Sequence, residues 1–350
     1  RNSSLRMPLS VVHTLFKILR TMLLGMICIT WLPSSGKQED YEKFALFAED
    51  APRALPAVPL ITKLPIELTK KMRIALVGNT LFDRMRDFGH FEAMLQQSHP
   101  KHQLILRNLA WSADEIDLQP RPANFADTEQ HLVAMKADLI LAAFGFNESF
   151  SGEDGLLAFE HRLGDYLSEL KSKSYNNFNA PKVVLVSPIA NENVTGVKAS
   201  DLNNQRLHLY VKAMTRVARR QKVGFVNSFD STKRIMDGNK NQLTINGCHL
   251  NQKGYDFFAR FLFRKLFGKE APEINEAVRD TVIEKNKHHF YRFRPLNSFY
   301  YSGGRRGSYG YLDFLPAMRN FDLMTANRDL LIHRLARDEK SDLITNDSNL

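Results

Sequence analysis

Between residues 73 and 267 the chain alternates short apolar runs with longer amphipathic ones, and this alternation restricts the fold more than any other feature. The short runs lie near 73–78 (RIALVG), 103–107 (QLILR), 138–144 (DLILAAF), 183–187 (VVLVS) and 223–227 (VGFVN). Helices are expected near 81–97, 127–136, 155–173, 202–221 and 251–267. Strands rich in Val, Ile and Leu, each followed by a helix, predict a parallel sheet covered on both faces. Such a sheet binds ligands beyond the carboxyl ends of its strands. The residues that follow each strand are therefore where chemistry should sit. With 350 residues, 43% hydrophobic and 25% charged, the chain can build one large domain with an appendage.

The flanks read differently. From Met7, "MPLSVVHTLFKILRTMLLGMICITWLPSSGKQ" has Lys17 and Arg20, a short apolar core from Thr21 to Leu32, and small residues after Pro33. This pattern predicts an export signal over 1–36, with residues 1–6 as upstream overhang and an uncleaved N-terminal anchor as the alternative. The protein is then periplasmic or extracellular, with no membrane span after cleavage. Residues 37–70 read as a charged, Pro-rich linker. The sheet domain covers 71–268. A helical extension follows over 269–340, with helices near 272–287 and 315–337, and 341–350 read as a frayed tail. Cys28 and Cys248 are the only cysteines, too few for a disulfide framework or a CxxC metal knuckle. No metal and no cofactor is expected. A formal charge of +10 favours anionic partners or is simply surface solvation. Nucleic acid is not expected, and the oligomeric state is left open.

Four strand ends carry polar residues. They are Gly78-Asn79-Thr80, Asn108-Leu109-Ala110-Trp111-Ser112, Gly145-Phe146-Asn147-Glu148, and Asn246-Gly247-Cys248-His249 ahead of the last helix. Each has a bland reading as well. Asn79 and Thr80 suit a helix cap, with Asp83 three residues on. Asn147 suits an Asx turn. The sequons at Asn147 and Asn193 carry little weight in a chain of this kind.

In order and spacing these ends resemble the SGNH (GDSL-type) hydrolase family, over residues 72–268. The stretches "FGFNESFSGEDGL", "VSPIANEN" and "NGCHLNQKGY" and the tail "RFRPLN…GGRR…YGYLDF" are similar to a branch found in planctomycete-type bacteria. The resemblance implies a flavodoxin-like three-layer α/β/α sandwich. It places His249 at the general base, Asn147 at an oxyanion-hole side chain, Thr80 at the serine nucleophile and Asn79 at the preceding aspartate. It places Ala110 at the oxyanion-hole glycine and Asn246 at the aspartate that orients the histidine.

The implied function is hydrolysis of an ester, with an O-acyl group of an extracellular or periplasmic carbohydrate as substrate. The alternatives are a catalytically lapsed glycan-binding or scaffold protein on the same fold, and an O-acyltransferase. Threonine keeps a hydroxyl but crowds it with a methyl group. Asparagine can orient an imidazole but cannot stabilise its charged form. The aromatic–arginine segment 289–311 either packs over the sheet or lines a sugar subsite through Tyr301, Arg305 and Arg306. A third reading, single-stranded nucleic acid, conflicts with export.

Overall fold

The computed structural model describes residues 47–238, 242–294, 297–305, 311–339 and 347–348. The export segment and Arg306 lie outside the described residues, as does nearly all of the tail. Five parallel strands form the central sheet: β1 (Arg73–Gly78), β2 (Ile105–Asn108), β3 (Leu139–Ala143), β4 (Lys182–Val186) and β5 (Gly224–Val226). Their order is β2-β1-β3-β4-β5. The direction of winding reverses between β1 and β3. In a doubly wound sheet that crevice is where ligands bind.

Alternation along β1 sends side chains to two cores. Ile74 and Leu76 join α1 (His90–Ser98) and α6 (Gln252–Phe267) on one face, where Phe91, Met94, Phe258, Leu262 and Phe263 are buried. Ala75 and Val77 join α2 (Thr128–Met135), α3 (Leu156–Lys171) and α4 (Ser200–Gln221) on the other, around Phe159, Leu163, Tyr210 and Met214. The three-layer sandwich expected from the sequence is present.

Three expectations need revision. The helix expected over 81–97 is broken into a turn, Thr80–Asp83, a tighter turn, Arg84–Asp87, and α1, because Gly89 takes φ +68° at the break. A further helix, α5 (Ser228–Gly238), follows β5. It is polar overall, and only Phe229 of its large apolar residues is buried. Residues 47–70 do not hang free. Leu55–Pro56 pairs antiparallel with Lys173–Ser174, the Thr62 N–H donates to the Lys222 carbonyl, and the Ile66 N–H donates to the Leu266 carbonyl.

The extension contributes α7 (Glu276–Phe293) and α8 (Tyr311–Leu335), which pack against each other and against the β2 edge of the sheet. An edge strand exposes unpaired carbonyls. Here Lys285 Nζ donates to the Leu106 carbonyl at 3.1 Å, and His333 Nε2 lies 2.9 Å from the Leu104 carbonyl. Lys285 is 0% exposed and pairs with Glu92 of α1 at 2.6 and 2.8 Å. Arg107 of β2 pairs with Asp329 of α8. Among the described residues no helix is long and apolar enough to cross a membrane.

Candidate active site

Gly78 ends β1 with φ +123°, and a Cβ there would lie 2.1 Å from the Ala143 carbonyl oxygen. Only glycine allows this approach. It lets the Asn79 N–H donate to Ala143 at 3.1 Å and turns the chain at the β1/β3 crevice. Asn79 is the N-cap: its side chain accepts from the Leu81 N–H at 3.2 Å. Thr80 is the first helical residue, so its own N–H has no intrahelical partner. Its hydroxyl faces a cavity of about 260 Å³, lined also by Ala113, Phe146, Asn147, Ile189, Cys248 and His249. Thr80, Asn147 and His249 thus meet at one mouth, from the ends of three separate segments.

The backbone donor at this mouth is Ala113, not Ala110. The Ala113 N–H donates to Thr80 Oγ1 at 3.1 Å, and its carbonyl accepts from Asn147 Nδ2 at 2.8 Å. Ala113 holds φ +67°, the left-handed region where glycine is the usual residue. Ala110 is buried, and its N–H is committed to Asn108 Oδ1 at 3.1 Å. The resemblance places the oxyanion-hole glycine at Ala110, whose N–H is turned away from Thr80. The loop runs three residues farther before it reaches Thr80.

His249, which the resemblance places at the general base, is carried on the 244–250 loop. Thr244 and Leu250 bridge its ends, and the Ile245 N–H donates to the His249 carbonyl at 2.8 Å. Gly247, at φ +91°, lies so close to Asn191 and Glu192 that a Cβ would meet Asn191 Nδ2 at 2.7 Å. Glu192 is buried beneath the loop. Its carboxylate accepts from the Leu243 N–H (2.9 Å), the Thr244 N–H (2.7 Å) and the Thr244 hydroxyl (2.5 Å). The Glu192 N–H and Asn191 Nδ2 both donate to the Gly247 carbonyl. Glu192 and Asn191 therefore position His249 from below. Sequence reasoning gave them no role, because a carboxylate that binds backbone groups carries no spacing signature.

Asn246 Oδ1 accepts from the His249 N–H at 3.0 Å, and its Nδ2 lies 2.9 Å from His249 Nδ1. Oδ1 also lies 3.1 Å from that ring nitrogen, so the amide either donates to Nδ1 or accepts from an Nδ1–H. Only the second arrangement keeps the ring proton on Nδ1 and leaves Nε2 free to take a proton, as a base needs. Burial, and after it the Arg84 charge, hold the ring below its ordinary 6.5. No hydrogen bond joins His249 to Thr80 in this structure. In apo sites such contacts are often long and tighten with substrate. Cys248 borders the same cavity, and burial pushes its thiol up.

Glu148 ties the two donor loops together. Its Oε1 accepts from the Ile116 N–H at 3.1 Å and its Oε2 from the Gly145 N–H at 2.9 Å. Burial outweighs those bonds and pushes its carboxyl up to about 7.

Of the sugar-subsite residues expected in the extension, Tyr301 and Arg305 are not at this mouth. Tyr301 is buried with Phe47, Phe125 and Met318. Arg305 is exposed and donates to the Tyr300 hydroxyl at 3.2 Å. Phe293 and Tyr301 of that segment belong to the core, which a sequence does not distinguish from a stacking platform. The segment does touch the site indirectly. Arg294 stacks 4.1 Å from the centre of the Trp111 ring and pairs with buried Asp83 at 3.1 Å, and Asp83 also holds the Ser112 hydroxyl. These contacts brace the loop that presents Ala113.

A family model for the GDSL-like lipase/acylhydrolase family matches residues 77–257. No curated protein matches the chain. Among solved structures, the acetylxylan esterase Axe2 from Geobacillus stearothermophilus is similar at 17% identity and TM-score 0.45, over 59% of this chain and 98% of that one. A protein from Parabacteroides merdae described as a GDSL-like lipase is similar at 15% identity and TM-score 0.45, over 57% of this chain and 97% of that one. The matched region runs from the end of β1 through His249 and into α6, spanning the whole mouth, and the chain belongs to the GDSL-like lipase/acylhydrolase family of hydrolases that act on esters.

Proposed function

We propose that the chain hydrolyses short acyl esters through an acyl-threonine, with the hydroxyl of a carbohydrate as leaving group. One observation carries the chemistry: Thr80 Oγ1, the Ala113 N–H, Asn147 Nδ2 and His249 converge on one small cavity. Its walls of Leu81, Phe146, Pro188 and Ile189 suit a short acyl group. The carbohydrate is the substrate class implied by the sequence resemblance.

In this reading the His249 Nδ1–H donates to Asn246 Oδ1, and Thr80 Oγ1 attacks the acyl carbonyl as the free Nε2 takes its proton. The oxyanion is held by the N–H groups of Ala113 and Thr80 and by the second amide proton of Asn147. Collapse of the adduct breaks the ester bond, and the leaving alcohol takes the proton from His249. Water then repeats the sequence on the acyl-threonine and releases the acid. Asn246 orients the ring but leaves the imidazolium without a countercharge. In serine proteases the corresponding Asp→Asn change costs about 10⁴ in kcat, so a slow enzyme is expected.

The test is hydrolysis of 4-nitrophenyl acetate and of an acetylated xylo-oligosaccharide by the wild type, Thr80→Ala and His249→Ala. Wild-type turnover lost in both variants supports the reading. Wild type inert on both substrates would establish the lapsed, glycan-binding alternative. Turnover that survives both substitutions would place the chemistry elsewhere.

A further inference from the structure

A second cavity, of about 160 Å³, lies between the sheet domain and the C-terminal helices. At about 30 Å³ per water, it has room for about five waters. Arg73 from the start of β1, Arg107 from β2 and Arg292 from α7 line it, with His131 from α2 and His289 from α7. Arg73 begins the six-residue strand that Thr80 follows, so about 20 Å of strand separates this cavity from the acyl site.

The charges here are unbalanced. Asp322 of α8 is the carboxylate in the wall and accepts from Arg292 Nε at 3.0 Å. Asp329 of α8 holds Arg107. Arg73 has no ion-pair partner among the described residues; its Nη1 donates to the Met135 carbonyl at 3.3 Å. Among the described residues, three guanidinium groups thus face two carboxylates.

Each imidazole keeps one ring nitrogen without a partner. His131 is 6% exposed, and its Nε2 has no hydrogen-bond partner. Its other nitrogen is held by the Ala126 carbonyl. His289 Nε2 is also buried without a partner. A lone buried acceptor costs about 1–3 kcal/mol, and two around one polar cavity mark a place built to be filled.

We propose that this cavity binds a small dianionic oxyanion, phosphate or sulfate, free or as a monoester, which fastens the C-terminal helix pair to the sheet domain. The guanidinium groups supply the planar donors that such oxygens take. Burial, with the charges of Arg292 and Arg121, drives the His131 ring down to about 3. Burial, then Arg107, Lys285 and Arg292, hold His289 well below its ordinary value. Of these cations Lys285 is already matched by Glu92. A dianion turns the excess positive charge into one negative charge, and a single proton taken up by an imidazole closes the balance. Binding should therefore be coupled to proton uptake and should tighten as pH falls.

The experiment is calorimetric titration of the full chain with sodium sulfate, sodium phosphate and glucose 6-phosphate at fixed ionic strength, in buffers of different ionisation enthalpy. The expected result is saturable 1:1 binding of an inorganic anion with proton uptake. Arg73→Gln and His131→Phe should each weaken it at least tenfold, with Arg73→Lys between. Ala134→Phe, which fills the cavity without touching a charge, should weaken it equally. Hydrolysis of 4-nitrophenyl acetate by Arg73→Gln should be unchanged. Glucose 6-phosphate binding as well would identify an ester as an accepted ligand. Binding of inorganic ions alone would identify the free ion; both support the site. No saturable heat with any of the three, or equal affinity in all variants, would overturn it. Neither result bears on the acyl chemistry.

Discussion

At the scale of single residues the site turns on Asn246 and Ala113. Asn246 sets both its Nδ2, at 2.9 Å, and its Oδ1, at 3.1 Å, against His249 Nδ1 and so does not fix the ring proton there. An aspartate would only accept there, fixing the proton on Nδ1 and stabilising the imidazolium. Asn246→Asp should therefore raise kcat on 4-nitrophenyl acetate by at least about tenfold, a fraction of the roughly 10⁴ that such a carboxylate supplies elsewhere. The same change should shift the acid limb of the pH–rate profile. In the wild type the His249 ring sits below its ordinary 6.5, so that limb lies below pH 6.5; the added carboxylate moves it upward. An unchanged rate and limb would mean that Asn246 does not govern the base. Ala113 holds φ +67°, which costs an alanine about 1–2 kcal/mol. Ala113→Gly should raise thermal stability by up to about 1 kcal/mol, after the entropy of the freer glycine is counted, and should keep the activity. A lower melting temperature would show that the methyl group is packed in a way that outweighs the backbone.

At the scale of elements, the loops are where sequence and structure part company. The five strands were legible because a parallel sheet buries both faces, and continuous Val, Ile and Leu runs have few other uses. His249, Asn147 and Thr80 were legible because they stand directly at strand or helix ends. Ala113 was not, because the loop after β2 is irregular and only its contact with Thr80 shows where it turns back. Tyr301 looked like a ligand platform and is core, since composition alone does not say which face a ring presents. Glu148 is the hinge-pin of the donor loops, and its titration makes a test. Its carboxyl sits at about 7 in the fold against about 4.5 unfolded. Between those values the folded state binds the extra proton, so stability falls as pH rises from about 4.5 to about 7, by up to about 3 kcal/mol, and is level above. Glu148→Gln should flatten that slope in urea melts taken across this range. A slope that persists would assign it to other groups.

At the scale of the molecule, the extension is part of the fold and not an accessory to it. Lys285 and Glu92 are 0% and 3% exposed and face each other. Removing one partner from such a pair costs about 3–5 kcal/mol, whereas replacing both with apolar groups is often neutral. Lys285→Met should therefore destabilise the whole chain by that amount in chemical denaturation, and Glu92→Leu added to it should recover most of the loss. Equal stability of the single and double variants would show that the pair is not coupled. The covered edge of β2 also sets a timetable for synthesis. β2 ends at Asn108, while the helix that finishes its cover ends at Leu335, more than two hundred residues later. At about 5–20 residues per second, the emerging sheet waits roughly ten to forty seconds with a bare strand at its border. A nascent chain of this kind has reason to stay in the hands of a chaperone until its last helix is made.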